Sequence, residues 1–201
     1  TQRKIFNELK KLLETDREKY IKLWFFFGKI LKEGIIQDPE HSKNIFDIAL
    51  FKTTYNDEWT TLSEYESRMK ENQEGIYCLA GRDSISGLKA SPKLEAYTQK
   101  GFEVLLMTDT VDEVILNDSA FILPAEAKKL LNIALDSVSP YTEAEKKDND
   151  RKLKELEIEF EPLKKIADEI FGGTLEEVRP SLNLTNSPAV LRDGKNGISI
   201  Q

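Results

Sequence analysis

At 201 residues the chain has room for one large domain or two small ones, each able to bury a core of its own. A formal net charge of -7 with 32% charged residues describes a solvated, mildly acidic surface rather than a basic footprint for phosphates, which argues against nucleic acid as a partner. The single cysteine, Cys78, excludes an intramolecular disulfide and a thiolate metal cluster and fits a reducing, cytoplasmic setting, while no apolar run approaches the ~20 residues needed to cross a bilayer.

The chain opens on Thr1 with no initiator methionine or leader and closes on Gln201 with no stop signal, so both ends read as cut from something longer. Ile5, Leu9, Leu12 and Leu13 recur at helical spacing and predict a first surface helix. A second helix is expected from Asp16, with Tyr20, Leu23, Trp24, Phe27, Ile30 and Leu31 on one broad core-facing side, stopped by Gly34. Ile45 to Phe51 reads as a third helix. Thr61-Leu62-Ser63-Glu64 is a capping box that opens a fourth around Tyr65 and Met69, which completes an expected helical bundle.

The texture then changes. Ile76-Tyr77-Cys78-Leu79-Ala80 and Phe102-Glu103-Val104-Leu105-Leu106-Met107 are compact β-prone runs and predict two buried strands. Between them Ser91-Pro92 opens a helix that Gly101 ends, so the order strand, helix, strand predicts a parallel pair with a crossover. After a mixed segment to Ser139-Pro140, the charge-rich stretch from Glu143 to Lys154 reads as an interdomain seam. Leu153, Leu156, Phe160, Leu163, Ala167 and Ile170 predict a long helix with one apolar face, kinked or restarted at Pro162. Val178 to Leu184 and Ala189-Val190-Leu191 look like two short strands joined by Thr185-Asn186-Ser187-Pro188. The fold class expected is therefore α+β or α/β: a helical bundle, a small strand-helix-strand layer, then a partial α+β unit with a long helix and short strands.

The catalytic inventory is poor. His41, the only histidine, lies in the polar turn Asp38-Pro39-Glu40-His41-Ser42 and reads as a solvated helix start. Gly81-Arg82-Asp83-Ser84 and Gly172-Gly173-Thr174 lack the Gly-Lys-Ser/Thr of a phosphate loop. Cys78 reads as a small core residue, and Asp112-Glu113, whose side chains diverge on a helix, as a solvated helix start rather than a cation site.

The uncommon strings say more. The run from Glu18 to Gly34, Glu-Lys-Tyr-Ile-Lys-Leu-Trp-Phe-Phe-Phe-Gly-Lys-Ile-Leu-Lys-Glu-Gly, resembles "EKY..FW..FG..LKEG" of the heat-shock-protein-90 chaperone family. In the same order, Ser63-Glu64-Tyr65 with Arg68-Met69-Lys70-Glu71-Asn72-Gln73 and Ile76-Tyr77 is similar to "L.DYV.RMKE.Q..IYY", and Ser91 to Glu95 to "SPhLE". Gly101 to Asp109 with Val111-Asp112-Glu113 resembles "G.EVLLLTD.IDE", and Leu182 to Ala189 resembles "RLTDSPA". The style is nearest the bacterial branch, high-temperature protein G, and only 118–151 is left unregistered.

The resemblance implies a dimeric, ATP-driven chaperone made of nucleotide, middle and C-terminal domains, of which residues 1–139 would be the end of the middle domain and 140–201 the start of the C-terminal one. The nucleotide site, its magnesium and the phosphate-sensing arginine would lie before Thr1, and the dimer-forming helices beyond Gln201. No cofactor and no enzymatic activity are therefore expected here. Partly folded client proteins are the implied partners, and the client-contact positions map to Glu113, Val114, Ile115, Leu116 and Asn117. Val114 stands where bacterial members often carry an aromatic residue, which leaves its grip on clients open. Val114 to Leu116 either pack a helix onto the strand pair or form an exposed patch. A monomer is expected, because Leu156, Phe160, Leu163 and Ile170 would be taken up by the core of the second unit. The rival reading is a structural adaptor that docks a partner helix on the Leu153 to Ile170 stripe and binds no clients.

Overall fold

A computed structural model describes residues 2–71, 73–117, 128–135, 137–171 and 178–190. Helices α1 (Gln2–Thr15) and α2 (Arg17–Gln37) form a hairpin about Asp16, whose side chain caps α2 by accepting from the Lys19 amide at 3.1 Å. Helix α2 runs past Gly34 to Gln37. Its buried stripe is Tyr20, Trp24, Gly28, Lys32 and Ile35, so Trp24 is core as expected, at 4% exposure, whereas Phe27 faces solvent. Gly28 permits this packing, because a Cβ there would come within 2.8 Å of the Trp24 ring.

The expected third helix is shorter than the sequence suggests. Helix α3 spans Ser42–Phe46, and Ile48 to Phe51 instead form a buried lead into strand β1 (Lys52–Thr53), so the first third is not purely helical. The reason is pairing: the Phe51 amide donates to the Thr60 carbonyl and that of Thr60 returns the bond, while Lys52 and Thr53 face Leu106 and Leu105. The capping box is present, with the Thr61 hydroxyl accepting from the Glu64 amide and Glu64 from the Thr61 amide, and it opens helix α4 (Leu62–Ser67). Arg17 then clamps both oxygens of Glu64 at 2.6 and 2.9 Å, which fixes the start of α2 against α4.

Strand β2 (Ile76–Ala80) leads to helix α5 (Ile85–Lys89), which the sequence reading missed. A 3₁₀ turn at Pro92–Leu94 enters helix α6 (Glu95–Gln99), and Gly101, at φ +68, turns the chain toward strand β3 (Leu105–Met107). Helix α7 (Thr110–Asn117), strand β4 (Leu130–Asn132) and helix α8 (Glu143–Phe171) follow. The sheet order is β1-β3-β2-β4, with β2 parallel to both β3 and β4 and β1 antiparallel at its rim. The parallel pair with its helical crossover is thus present, inside a mixed four-stranded sheet of an α+β fold.

Alternation along the strands explains the layering. Ile76, Cys78, Leu105 and Met107 point into one core with Tyr20, Trp24, Phe46, Tyr65 and α7, while Tyr77, Leu79 and Leu106 point into a second with Leu88, Leu94 and Tyr97. Both faces are covered, which is why the strand sequences are continuously apolar. Tyr65 ties the layers together: its hydroxyl donates to the Glu103 carbonyl and accepts from the Gln73 side chain and the Tyr77 amide.

The last part departs most from expectation. Helix α8 includes the charged stretch taken for a seam and passes through Pro162 without restarting. Of the predicted stripe, Leu153, Leu156, Phe160 and Ala167 are half-buried while Leu163 and Ile170 are exposed, as are Ile158, Ile166 and Phe171, and among the described residues none of α8 joins either core. Residues 178–190 contain no strand, because nothing among the described residues pairs with them and Thr185 to Ser187 turn around a side chain instead. Leu191 and the Gly172-Gly173 pair lie outside the described residues.

Candidate functional site

Helix α7 sits over the junction of α2 and the sheet, and its two sides have different roles. Val111 and Ile115 enter the first core, Ile115 being only 4% exposed. Leu116 is half-buried and packs against the same core, whereas on the opposite side Val114 is 44% exposed, Asn117 is exposed and Glu113 is half-buried. The expected client-contact set therefore splits: Ile115 and Leu116 are packing residues, while Glu113, Val114 and Asn117 reach the surface. Glu113 lies 3.7 Å from Arg82 in the loop after β2, which gives the patch a charged edge.

Beneath this face is an arrangement that corrects the reading of Asp112 as solvated. Asp112 is fully buried and accepts from Lys32 Nζ through both oxygens, at 2.8 and 2.9 Å. Asp109 adds a third contact to the same ammonium at 2.5 Å, and the ammonium also faces the Phe51 ring at 5.5 Å. The turn closes on itself, since the Asp112 amide donates to the Asp109 carbonyl and the Asp109 amide to Asp112 Oδ2. Burial pushes the Asp112 carboxyl above its ordinary range, and the Lys32 ammonium pulls back against it. Removing one partner of such a pair leaves an uncompensated buried charge, so the orientation of α7 is tied to α2. The signal was legible: Lys32 lies four residues after Gly28 and three before Ile35, inside the buried stripe.

Chemistry of other kinds finds little support. Cys78 is buried, and burial pushes its thiol well above the usual range, so it is not a thiolate nucleophile. His41 is exposed, with Nδ1 3.0 Å from Asp38 Oδ1. Among the described residues no three His, Cys, Asp or Glu side chains are grouped to hold a metal ion, and no helix is long and apolar enough to cross a membrane. Two hollows beside Thr54, of about 230 and 290 Å³, fall short of the ~300–1,000 Å³ typical of small-molecule sites.

Comparison with known proteins bears on the same residues. A family model described as "Hsp90 protein" matches residues 2–201, including the stretch 118–151 that the motifs leave unregistered. The chain is 38% identical over 203 residues to "Chaperone protein HtpG" of Treponema denticola, covering 99% of this chain and 31% of that protein. Proteins of the same name from Bdellovibrio bacteriovorus and Klebsiella pneumoniae are 37% and 36% identical, over 94% and 96% of this chain and 29% and 30% of theirs. The chain thus spans under a third of the length of these relatives. With the family's strings carried on the elements that build the α2, α7 and sheet layers, and the match running over nearly all its residues, the chain belongs to the heat-shock protein 90 family of molecular chaperones.

Proposed function

We propose that this chain is the middle-to-C-terminal segment of a cytoplasmic, homodimeric, ATP-dependent chaperone and that the outer side of α7 is part of its client-contact surface. Residues 1–139 belong to the middle domain and 140–201 to the C-terminal one. The observation that carries the reading is the exposed Val114 between Glu113 and Asn117, on a helix whose inner side is held by a buried ion cluster. A rigid, shallow, half-apolar patch of this kind suits weak contact with many partly folded chains better than one tight complex. On this reading nucleotide chemistry belongs to parts of the whole protein outside this span, so titration with magnesium-ATP is expected to give no heat of binding; micromolar affinity would overturn that division.

The client surface is tested by titrating a fluorescent, reduced and carboxymethylated protein and following its anisotropy. Val114→Asp is expected to weaken binding about five- to tenfold, the effect of roughly 1 kcal/mol at a contact, with unchanged near-ultraviolet dichroism. Equal binding by the variant would remove α7 from the surface. The exposed stripe of α8 favours a second reading, in which a partner helix docks on Leu163, Ile166 and Ile170. Under that reading Ile166→Asp, and not Val114→Asp, abolishes association.

A further inference from the structure

Beyond α8 the chain comes back to the sheet unit at a side chain of α6. The Glu95 carboxylate, on the first turn of α6, is surrounded by the turn Thr185-Asn186-Ser187. Its Oε2 accepts from the Thr185 amide at 2.5 Å, the Thr185 hydroxyl at 3.2 Å and the Asn186 amide at 2.9 Å. Its Oε1 accepts from the Ser187 amide at 3.1 Å and from the Ser187 hydroxyl. Three consecutive backbone N–H groups converging on one anion make a concavity of the kind that binds carboxylates and phosphates, here filled from within the chain. Both oxygens are satisfied by charge-assisted bonds, roughly twice as strong as neutral ones.

Burial does little to hold this segment. Pro180 is the only buried residue between 178 and 190. A second polar contact lies nearby: Lys100 reaches Glu145 at 2.5 Å and faces the Tyr141 ring at 4.7 Å, and the Tyr141 hydroxyl donates to the Leu182 carbonyl at 3.4 Å. We propose that Glu95 and the Thr185–Ser187 turn form a latch, separable from the two cores, that sets where the segment after α8 lies on the sheet unit. The latch goes beyond the chaperone reading and does not depend on client contact at α7. Donation by the Ser187 hydroxyl and by the Asn186 and Thr185 amides holds the Glu95 carboxyl at about 2, far below its ordinary value, so the clip keeps its charge into acid where a free glutamate would be protonated.

Amide hydrogen exchange on the full 201-residue chain tests this. In Glu95→Gln the side chain keeps its length, loses its charge and turns an N–H₂ toward the donors. Exchange at 185–187 is expected to quicken more than about tenfold, as loss of a charge-assisted cluster implies, while β2, β3 and the melting temperature stay as in the parent. Ser187→Asp sets a second carboxylate against Glu95 and is expected to do the same with Glu95 intact, so the idea does not rest on one variant folding. Unchanged exchange at 185–187 in both variants would overturn the latch. Acceleration spread equally through β2 and β3 would overturn its separability.

Discussion

Helices α2 and α8 both carry an apolar residue every three or four positions, but only α2 turns that stripe into a core. Tyr20, Trp24 and Ile35 are sealed by the sheet, α3 and α7, whereas Leu163, Ile166 and Ile170 of α8 remain open. Periodicity states which side of a helix is apolar; it does not say whether the topology supplies something to cover it. The polar residues make the same point. Lys32 sits within the buried stripe of α2 and needs Asp112 and Asp109, while α8 carries its charges at the surface, some paired with near neighbours, as in Lys152 with Asp148 at 2.7 Å, and Glu145 with Lys100.

The comparison breaks most visibly at the centre of α2. Trp24→Ala is expected to cost about 3–5 kcal/mol by leaving a cavity between the helix and the first core, read as a fall in the midpoint of denaturant unfolding. A loss below 1 kcal/mol would mean the two stripes are equivalent. Lys32→Met leaves Asp112 buried without its cation and is expected to cost a comparable ~3–5 kcal/mol at neutral pH. The sign with pH follows from the raised Asp112 carboxyl. Folded Asp112 holds its proton to higher pH than the unfolded chain does, so the variant is most stable below the ordinary Asp value of ~3.9 and loses stability as pH rises through the elevated one. Stability that instead climbs over this range would show that Asp112 is solvated in the variant.

Smaller effects sharpen the contrast. Gly28→Ala presses a methyl group on the Trp24 ring and is expected to cost ~1–3 kcal/mol through overpacking, measured by thermal unfolding; no change would show that the ring can move aside. Ile166→Ser in α8 is expected to shift stability by no more than ~0.5 kcal/mol, as at an ordinary surface position. A larger loss would reveal a partner for the α8 stripe.

How far these differences could be read from the chain varies with the range of the contact that decides them. The β2 run, the Thr61–Glu64 capping box and the helix start at Asp16 are local, and each appears where its residues predict, while of the run Phe102 to Met107 only Leu105–Met107 is strand. Strands β1 and β4 are two and three residues long, too short for any periodicity to register, and exist because β3 and β2 offer them edges. The strands expected after Val178 are absent from 178–190 for the converse reason: among the described residues no edge is offered to them. Of the proposed client-contact set, the sequence identified the helix and not its orientation, because whether Val114 or Ile115 faces inward depends on how Asp112 docks on Lys32. The role of Glu95 was not legible in the sequence, since its donors lie some ninety positions further on.

The sheet order also sets a timetable for folding. The central pair β2 and β3 is joined by a compact crossover, but β1 must wait for β3 to be synthesised and β4 arrives only at Leu130, so each rim strand pairs across a long stretch of chain. Because loop-closure entropy must be met before distant pairings contribute, the centre is expected to nucleate and the rims to join late. On a ribosome the half-built sheet would show the bare edge of β2 until Leu130 to Asn132 emerge, a brief interval in which a segment of a chaperone is itself an incompletely folded chain.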